Sequence, residues 1–160
     1  MAVLMELSRI LIREVVDHQI IELREVLPED ADSEDGDPFE EGDDLGADPT
    51  QDPARRFPIV IGLPEAQAIE RRLKNIEIKR PQTHDLLASV IREMGGTLES
   101  ISIHDLSDHT FYAALRVRKA DGEEIDIDSR PSDAIALGIA QRVPIYVAEH
   151  VLDQALQDPM

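Results

Sequence analysis

The segment EIDIDSRPSDAIAL, residues 124–137, contains the change of hydrophobic period on which the fold depends. Its first part alternates apolar and acidic residues, as a half-buried strand does, and its second part begins at Pro131 and is rich in alanine. Proline is favoured in the first turn of a helix, where an acid such as Asp133 interacts with the positive end of the helix dipole. The segment therefore predicts a strand that passes directly into a helix ending at Ala140.

The residues around this segment predict further strands. Residues 98–104 and 110–118 alternate in hydrophobicity, and Asp121-Gly122 is a typical hairpin turn before the strand at 124–128. Beyond the helix, the pattern predicts a short strand and a terminal helical turn, at residues 145–147 and 151–156. The second half of the chain thus consists of three strands, a helix, a strand and a helical turn.

The first half predicts three strands and two helices. The strands are apolar runs at residues 3–12, 19–26 and 57–61, the first two pairing as a hairpin. One helix opens at Pro64, and the next has Thr83 as its N-cap. Its apolar residues recur at helical period: Leu86, Leu87, Val90, Ile91 and Met94. About seven strands in runs, with three or four helices, predict an α+β fold with a mixed, mainly antiparallel sheet.

Two units of the sequence resemble each other. The strand at 59–61 leads into a helix with Pro64 and Glu65 in its first turn, and the strand at 125–127 leads into one with Pro131 and Asp133. One explanation is that both helices obey the same rule for starting. The other is a weak internal duplication, and the sequence leaves both open.

The negative charge of the chain is concentrated in one stretch. The 160 residues include 34 acidic and 16 basic side chains, a net charge of −18. Twelve of the acids and none of the bases lie within residues 28–53, which leaves a net charge of −6 on the other 134 residues. So acidic a segment cannot bury enough apolar surface to fold. We therefore expect one domain, residues 1–156, interrupted by a disordered acidic loop at 28–54.

The composition also excludes several classes of protein. The absence of cysteine excludes disulfides, thiolate metal clusters and a cysteine nucleophile, and it fits a reducing compartment. The longest apolar runs fall short of the ~20 residues of a membrane helix, and the N-terminus is too charged for a signal peptide. No P-loop, dinucleotide fingerprint or zinc motif occurs. We expect a cytoplasmic protein without membrane contact.

Polar residues concentrate where three predicted helices begin, at residues 62–65, 80–85 and 128–133. Free backbone N–H groups at helix N-termini bind anions, and Arg80 and Arg130 would add bidentate donors for phosphate. His84 is a candidate for proton transfer, the alternative being a surface or capping histidine. These segments predict a site for a phosphate-bearing ligand.

Two other sets of charged residues are candidates for this site. Asp85, Asp128 and Asp133 are oxygen ligands of the kind that Mg²⁺ or Mn²⁺ prefers, although helix dipoles alone would explain the first and the last. A basic segment that includes Arg71, Arg72, Lys74 and Arg80 is a candidate phosphate-backbone patch, the alternative being a solvated helix face.

Five strings carry a resemblance to one known family: FPIVIGLPEAQAI, RPQTHDLL, ISIHDLSDHTFYAAL, DSRPSDAIAL and PIYVAEHVLD. Over residues 57–153 the chain resembles the bifunctional nuclease domain (BFN) family, whose members are described as acting on RNA and DNA. The resemblance implies a compact α+β domain and a homo-oligomer, a dimer or trimer. The positions that fit the polar motifs of the family are Glu65, Arg80, Thr83, His84, Asp85, Arg130, Ser132 and Asp133. The acidic loop departs from the family, in which a short turn commonly joins the second and third strands.

Two functions follow as hypotheses. The first is a nuclease of low specificity with His84, Asp85, Arg80, Arg130 and Asp133 as catalytic residues. Its other substrate-binding residues would be Glu65, Thr83, Ser132, Arg71, Arg72 and Lys74. The second is a non-catalytic regulatory or ligand-binding module that uses the same anion sites. The net charge of −6 and the scarcity of aromatic residues predict that any nucleic acid binds weakly and with a strong salt dependence.

Overall fold

The computed structural model describes residues 1–13, 15, 18–28 and 53–157. The strands are β1 (Ala2–Leu11), β2 (Gln19–Glu25), β3 (Arg56–Ile61), β4 (Thr97–Ser107), β5 (Thr110–Arg118), β6 (Glu124–Ser129) and β7 (Ile145–Ala148). The helices are α1 (Leu63–Leu73), α2 (Thr83–Glu93), α3 (Pro131–Gly138) and α4 (Glu149–Gln157), with a 3₁₀ turn at Ile139–Gln141. The predicted acidic loop falls mainly on residues 29–52, which lie outside the described part of the chain.

All seven strands form one mixed sheet in the order β3-β2-β1-β7-β4-β5-β6. Neighbouring strands are antiparallel except β4 and β7, which are parallel. The predicted α+β class and the predicted pairing of the first two strands are therefore confirmed. No helix within the described ranges is long and apolar enough to cross a membrane.

The two halves of the sheet repeat one order of elements. In each half, three consecutive strands form an antiparallel meander whose last strand lies at an edge of the sheet and leads into a helix. The helices are α1 and α3, and they pack against each other. This arrangement agrees with the duplication considered from the sequence, and it brings the starts of two helices together.

Alternating residues of the strands form the core. On β3, Phe57, Ile59 and Ile61 are buried, whereas Pro58 and Val60 between them are exposed. The sheet curls so strongly that Phe57 stacks on Phe111 of β5, with ring centroids 5.6 Å apart. Helices α1, α3 and α4 bury their apolar residues against the strands.

Helix α3 approaches the sheet closely at Gly138. A Cβ atom there would lie 2.5 Å from Cδ1 of Ile101 on β4 and 2.6 Å from Cγ2 of Val143. Both contacts are shorter than packed carbon atoms tolerate, so with a side chain at this position either Ile101 and Val143 or the helix itself would have to shift. Glycine therefore permits this close approach of α3 to the sheet.

Helix α2 differs from the sequence prediction at its start, and its apolar stripe faces outward. Its N-cap is Gln82 rather than Thr83, because the Asp85 carboxylate accepts a hydrogen bond from the Gln82 N–H at 3.0 Å. None of its residues is buried, and most of its periodic apolar stripe faces outward, with Leu86 56% and Met94 80% exposed. The stripe does not enter the core of the monomer, although Ala88 and Ile91 pack partly against that core.

Candidate active site

Asp133 is the exception on a helix that is otherwise inside the protein. The seven other residues of α3 are buried, because the helix packs against α1, α2, β4 and β5. Asp133 lies in the first turn and is partly exposed. A carboxylate in such a position needs hydrogen-bond partners to offset its lost hydration.

Those partners come from the starts of two helices, α2 and α3, and one of them also binds the start of α1. His84 of α2 places its Nε2 atom 2.9 Å from Oδ1 of Asp133. Arg130, the N-cap of α3, donates from Nε to Oδ2 of Asp133 at 2.8 Å and from Nη2 to Oε1 of Glu65 at 3.0 Å. Glu65 lies in the first turn of α1. We refer to His84, Asp133, Arg130 and Glu65 as the His84 cluster.

The hydrogen bonds determine the protonation state of Asp133. Burial alone would raise the pKa of this carboxyl group, but the hydrogen bonds and charges of Arg130 and His84 outweigh burial and hold its pKa below the ordinary value. An ionised carboxylate only accepts hydrogen bonds. His84 must therefore donate from Nε2, which leaves the lone pair of neutral imidazole on Nδ1.

The lowered pKa of Asp133 makes the stability of the protein depend on pH. A carboxyl group whose pKa is lowered by folding stabilises the protein above its unfolded pKa, and this contribution is lost as the pH falls through the folded pKa. We therefore expect the free energy of unfolding to fall below about pH 4, the ordinary range of carboxyl groups. Urea unfolding of the wild type and of Asp133→Asn would check this, because the variant should lose less stability on acidification. Equal losses in both proteins would contradict it.

Arg130 retains the capacity to bind an anion. Its Nε and Nη2 atoms are bonded to carboxylates, whereas its Nη1 atom has no partner within the described residues. The side chain is 65% exposed. A guanidinium group has five N–H donors, so Arg130 can hold Asp133 and Glu65 and still donate to a phosphate oxygen.

Gly62, which lies in the predicted polar segment 62–65, is the residue before α1. A Cβ atom at this position would overlap the carboxylate of Glu65. A larger residue would therefore displace Glu65 from Arg130. The orientation of Glu65 thus depends on the absence of a side chain at residue 62.

The three candidate metal ligands lie in different environments. Asp85 forms an ion pair with Arg72 of α1, Asp128 is exposed on β6, and Asp133 belongs to the His84 cluster. In the part of the chain that the structure describes, no three His, Cys, Asp or Glu side chains are grouped so that they could hold a metal ion. The described residues therefore do not supply the donor set of a closed Mg²⁺ or Mn²⁺ site.

The other candidate binding residues are dispersed. Thr83 and Arg80 are exposed beside His84 in the chain, and Ser132 is buried in the first turn of α3. The basic segment does not act as one patch. Lys74 pairs with Glu70 at 2.6 Å on the surface of α1, whereas Arg71 and Arg72 line a cavity.

Comparison with known proteins shows which family the chain matches. The model of the bifunctional nuclease domain matches residues 49–159, more than half of the chain. The match includes every member of the His84 cluster.

Curated relatives fall into two groups. A Mycobacterium tuberculosis protein named only as uncharacterized is 43% identical over 101 residues, which cover 63% of this chain and 59% of that protein. Bifunctional nuclease 1 of Oryza sativa subsp. japonica is 28% identical over 97 residues, 59% of this chain and 29% of that protein. Bifunctional nuclease 2 of Arabidopsis thaliana is 23% identical over 97 residues, 59% and 30% of the two chains. This chain thus matches less than two thirds of the length of each relative.

Proposed function

This chain belongs to the bifunctional nuclease domain family, and from that premise we propose that it is a nuclease of low specificity that hydrolyses phosphodiester bonds of RNA and DNA. The observation that carries the proposal is the hydrogen bond between His84 and Asp133 beside Arg130. Asp133 accepts a hydrogen bond from both His84 and Arg130, and so holds an imidazole and a guanidinium group in one cluster. A cytoplasmic location is part of the proposal, because a chain without cysteine suits a reducing compartment.

The geometry supports general-base hydrolysis. His84 would accept a proton from water at Nδ1 while Asp133 holds the ring through Nε2 and stabilises the imidazolium that forms. The water oxygen then bonds to phosphorus and the bond from phosphorus to the leaving oxygen breaks. The proton on His84 passes to that leaving oxygen. Arg130, through Nη1, and Arg80 would stabilise the charge on the phosphoryl oxygens.

A non-catalytic, ligand-binding module is the second candidate. It is favoured by the two carboxylates on Arg130, which neutralise part of the charge that a polyanionic substrate would meet. In that case the His84 cluster would bind a small phosphorylated ligand or a partner protein without turnover.

The test compares turnover with binding. Purified protein would be assayed on single-stranded RNA and DNA, in Mg²⁺ and in EDTA, at low and high salt. Turnover that co-purifies with the protein and weakens steeply with salt is the expected result. Stabilisation by nucleotides or sugar phosphates in a thermal-shift screen, without turnover of either nucleic acid, would replace the nuclease with the second candidate.

We also propose that the protein is a homo-oligomer, a dimer or trimer, held by the outward apolar stripe of α2. Contiguous exposed apolar surface of this kind commonly marks an interface, and a second copy presents the same stripe. Replacing both Leu86 and Val90 with lysine should yield a monomer in light scattering after size exclusion, whereas Leu156→Lys on α4 should not. A monomeric wild type, or an unchanged mass in the double variant, would contradict the proposal.

A further inference from the structure

A cavity of about 900 Å³ lies between the end of α1 and the middle of the sheet. Its apolar wall includes Met5 and Leu7 of β1, Ile101 of β4 and Ile145 of β7. The segment after α1 and the 3₁₀ turn after α3 form the other sides. Ligand cavities in proteins commonly have about 300–1,000 Å³, so this one is large enough for a small organic molecule.

Three arginines line this cavity: Arg71, Arg72 and Arg142. Arg72 is paired with Asp85, and Glu6 in the same lining is paired with Arg24 at 3.2 Å. The three acids of the lining, Glu6, Glu77 and Asp85, equal the three arginines in number. Two of these acids are already paired, however, and Arg71 and Arg142 have no carboxylate partner within the described ranges. Two unpaired guanidinium groups therefore lie beside an apolar wall, with Glu77 as the one lining acid that has no described partner.

Two further observations concern the arginines of this lining. Desolvation and then the charge of Arg71 lower the pKa of Arg72, so the two guanidinium groups lie close enough to repel each other. Arg142 has φ +52°, a left-handed conformation that few residues other than glycine adopt. Backbone strain of this kind persists where the surrounding structure enforces it, often at ligand sites.

We propose that this cavity binds a nucleoside monophosphate, with the phosphate on Arg71 and Arg142 and the base against the apolar wall. Guanidinium groups match phosphate oxygens in geometry and charge. A free phosphate would leave the apolar wall unfilled. A fatty acid would not use the amide of Asn75, which lines the cavity and offers both a donor and an acceptor to the edge of a base.

The inference goes beyond the proposed hydrolysis and does not depend on it, because Arg71, Arg142 and the apolar wall are separate from the His84 cluster. The ligand is either a free nucleotide or the terminal nucleotide of an oligonucleotide. AMP and a 5′-phosphorylated dinucleotide, used as separate probes, distinguish these two sources.

Calorimetric titration of the full chain tests the inference. We expect at least one of the two probes to bind, and Arg71→Gln and Arg142→Gln each to weaken that binding by about 10-fold or more, the usual effect of losing a charged hydrogen bond. Arg92→Gln on α2 is the matched control and should bind as the wild type does. Binding should also persist in His84→Ala, which separates this cavity from the proposed active site.

Three results would overturn the inference. They are no binding of either probe, binding that both arginine variants leave unchanged, and displacement of AMP by dodecanoate at comparable concentration, which would indicate a site for alkyl anions. Thermal unfolding of each unliganded variant shows whether it is folded. If a variant does not fold, cross-linking of the wild type with 8-azido-AMP tests the site in its place. Labelling should fall on residues 75–78 or 139–145, and labelling elsewhere would contradict the proposal.

Discussion

His84→Ala is expected to lower the rate of RNA and DNA hydrolysis by about 10²–10⁴-fold, the usual contribution of a positioned general base. The substitution removes the imidazole whose Nε2 atom is bonded to Asp133, and no other described side chain replaces it in this contact. Single-turnover assays on single-stranded RNA would measure the effect, because they report the chemical step apart from product release.

The control for this experiment is a second histidine. His104 is exposed on β4, outside the His84 cluster, and His104→Ala should retain the wild-type rate. Circular dichroism should show that both variants are folded, since His84 is not part of the apolar core. Equal activity of the two variants would mean that the hydrolysis arises elsewhere on the molecule or from a contaminant.

Ile135→Ala is expected to lower the free energy of unfolding by about 2–5 kcal/mol. Ile135 of α3 is fully buried in the apolar core. Its truncation removes packed methyl groups and leaves a cavity that the surrounding close-packed residues fill poorly. Because α3 also carries Asp133, the same change should reduce activity through a looser contact with His84. Urea denaturation would measure the first effect.

A leucine at the surface supplies the comparison. Leu156 on α4 is 42% exposed, and Leu156→Ala should cost less than about 1 kcal/mol, because less apolar area returns to water. A loss of similar size in both variants would contradict the placement of α3 in the core.

Much of the fold was predictable from local patterns. The strict alternation at 124–128 and the proline that follows it specify β6 and the start of α3, because each acts over a few residues. The apolar stripe on α2 was predictable from local patterns only in part. Its period correctly indicates a helix with an apolar face, but what that face contacts depends on the packing of the whole molecule.

The candidate site was predictable only in part, for the same reason. Asp85 and Asp133 each occupy the third position of a helix, so their local sequence signals are alike. In the folded chain one pairs with Arg72 and the other with His84. The cavity beside Arg142 left no local signal, because its walls come from segments far apart in the sequence.

The central claim is that His84 and Asp133 act as one unit, and a double-mutant cycle tests it most directly. The rates of single-turnover hydrolysis would be compared for the wild type, His84→Ala, Asp133→Asn and the double variant. Asp133 acts through His84 in this account, so the double variant should be no slower than His84→Ala alone. Losses that multiply in the double variant would show that the two residues act independently, and would contradict the account.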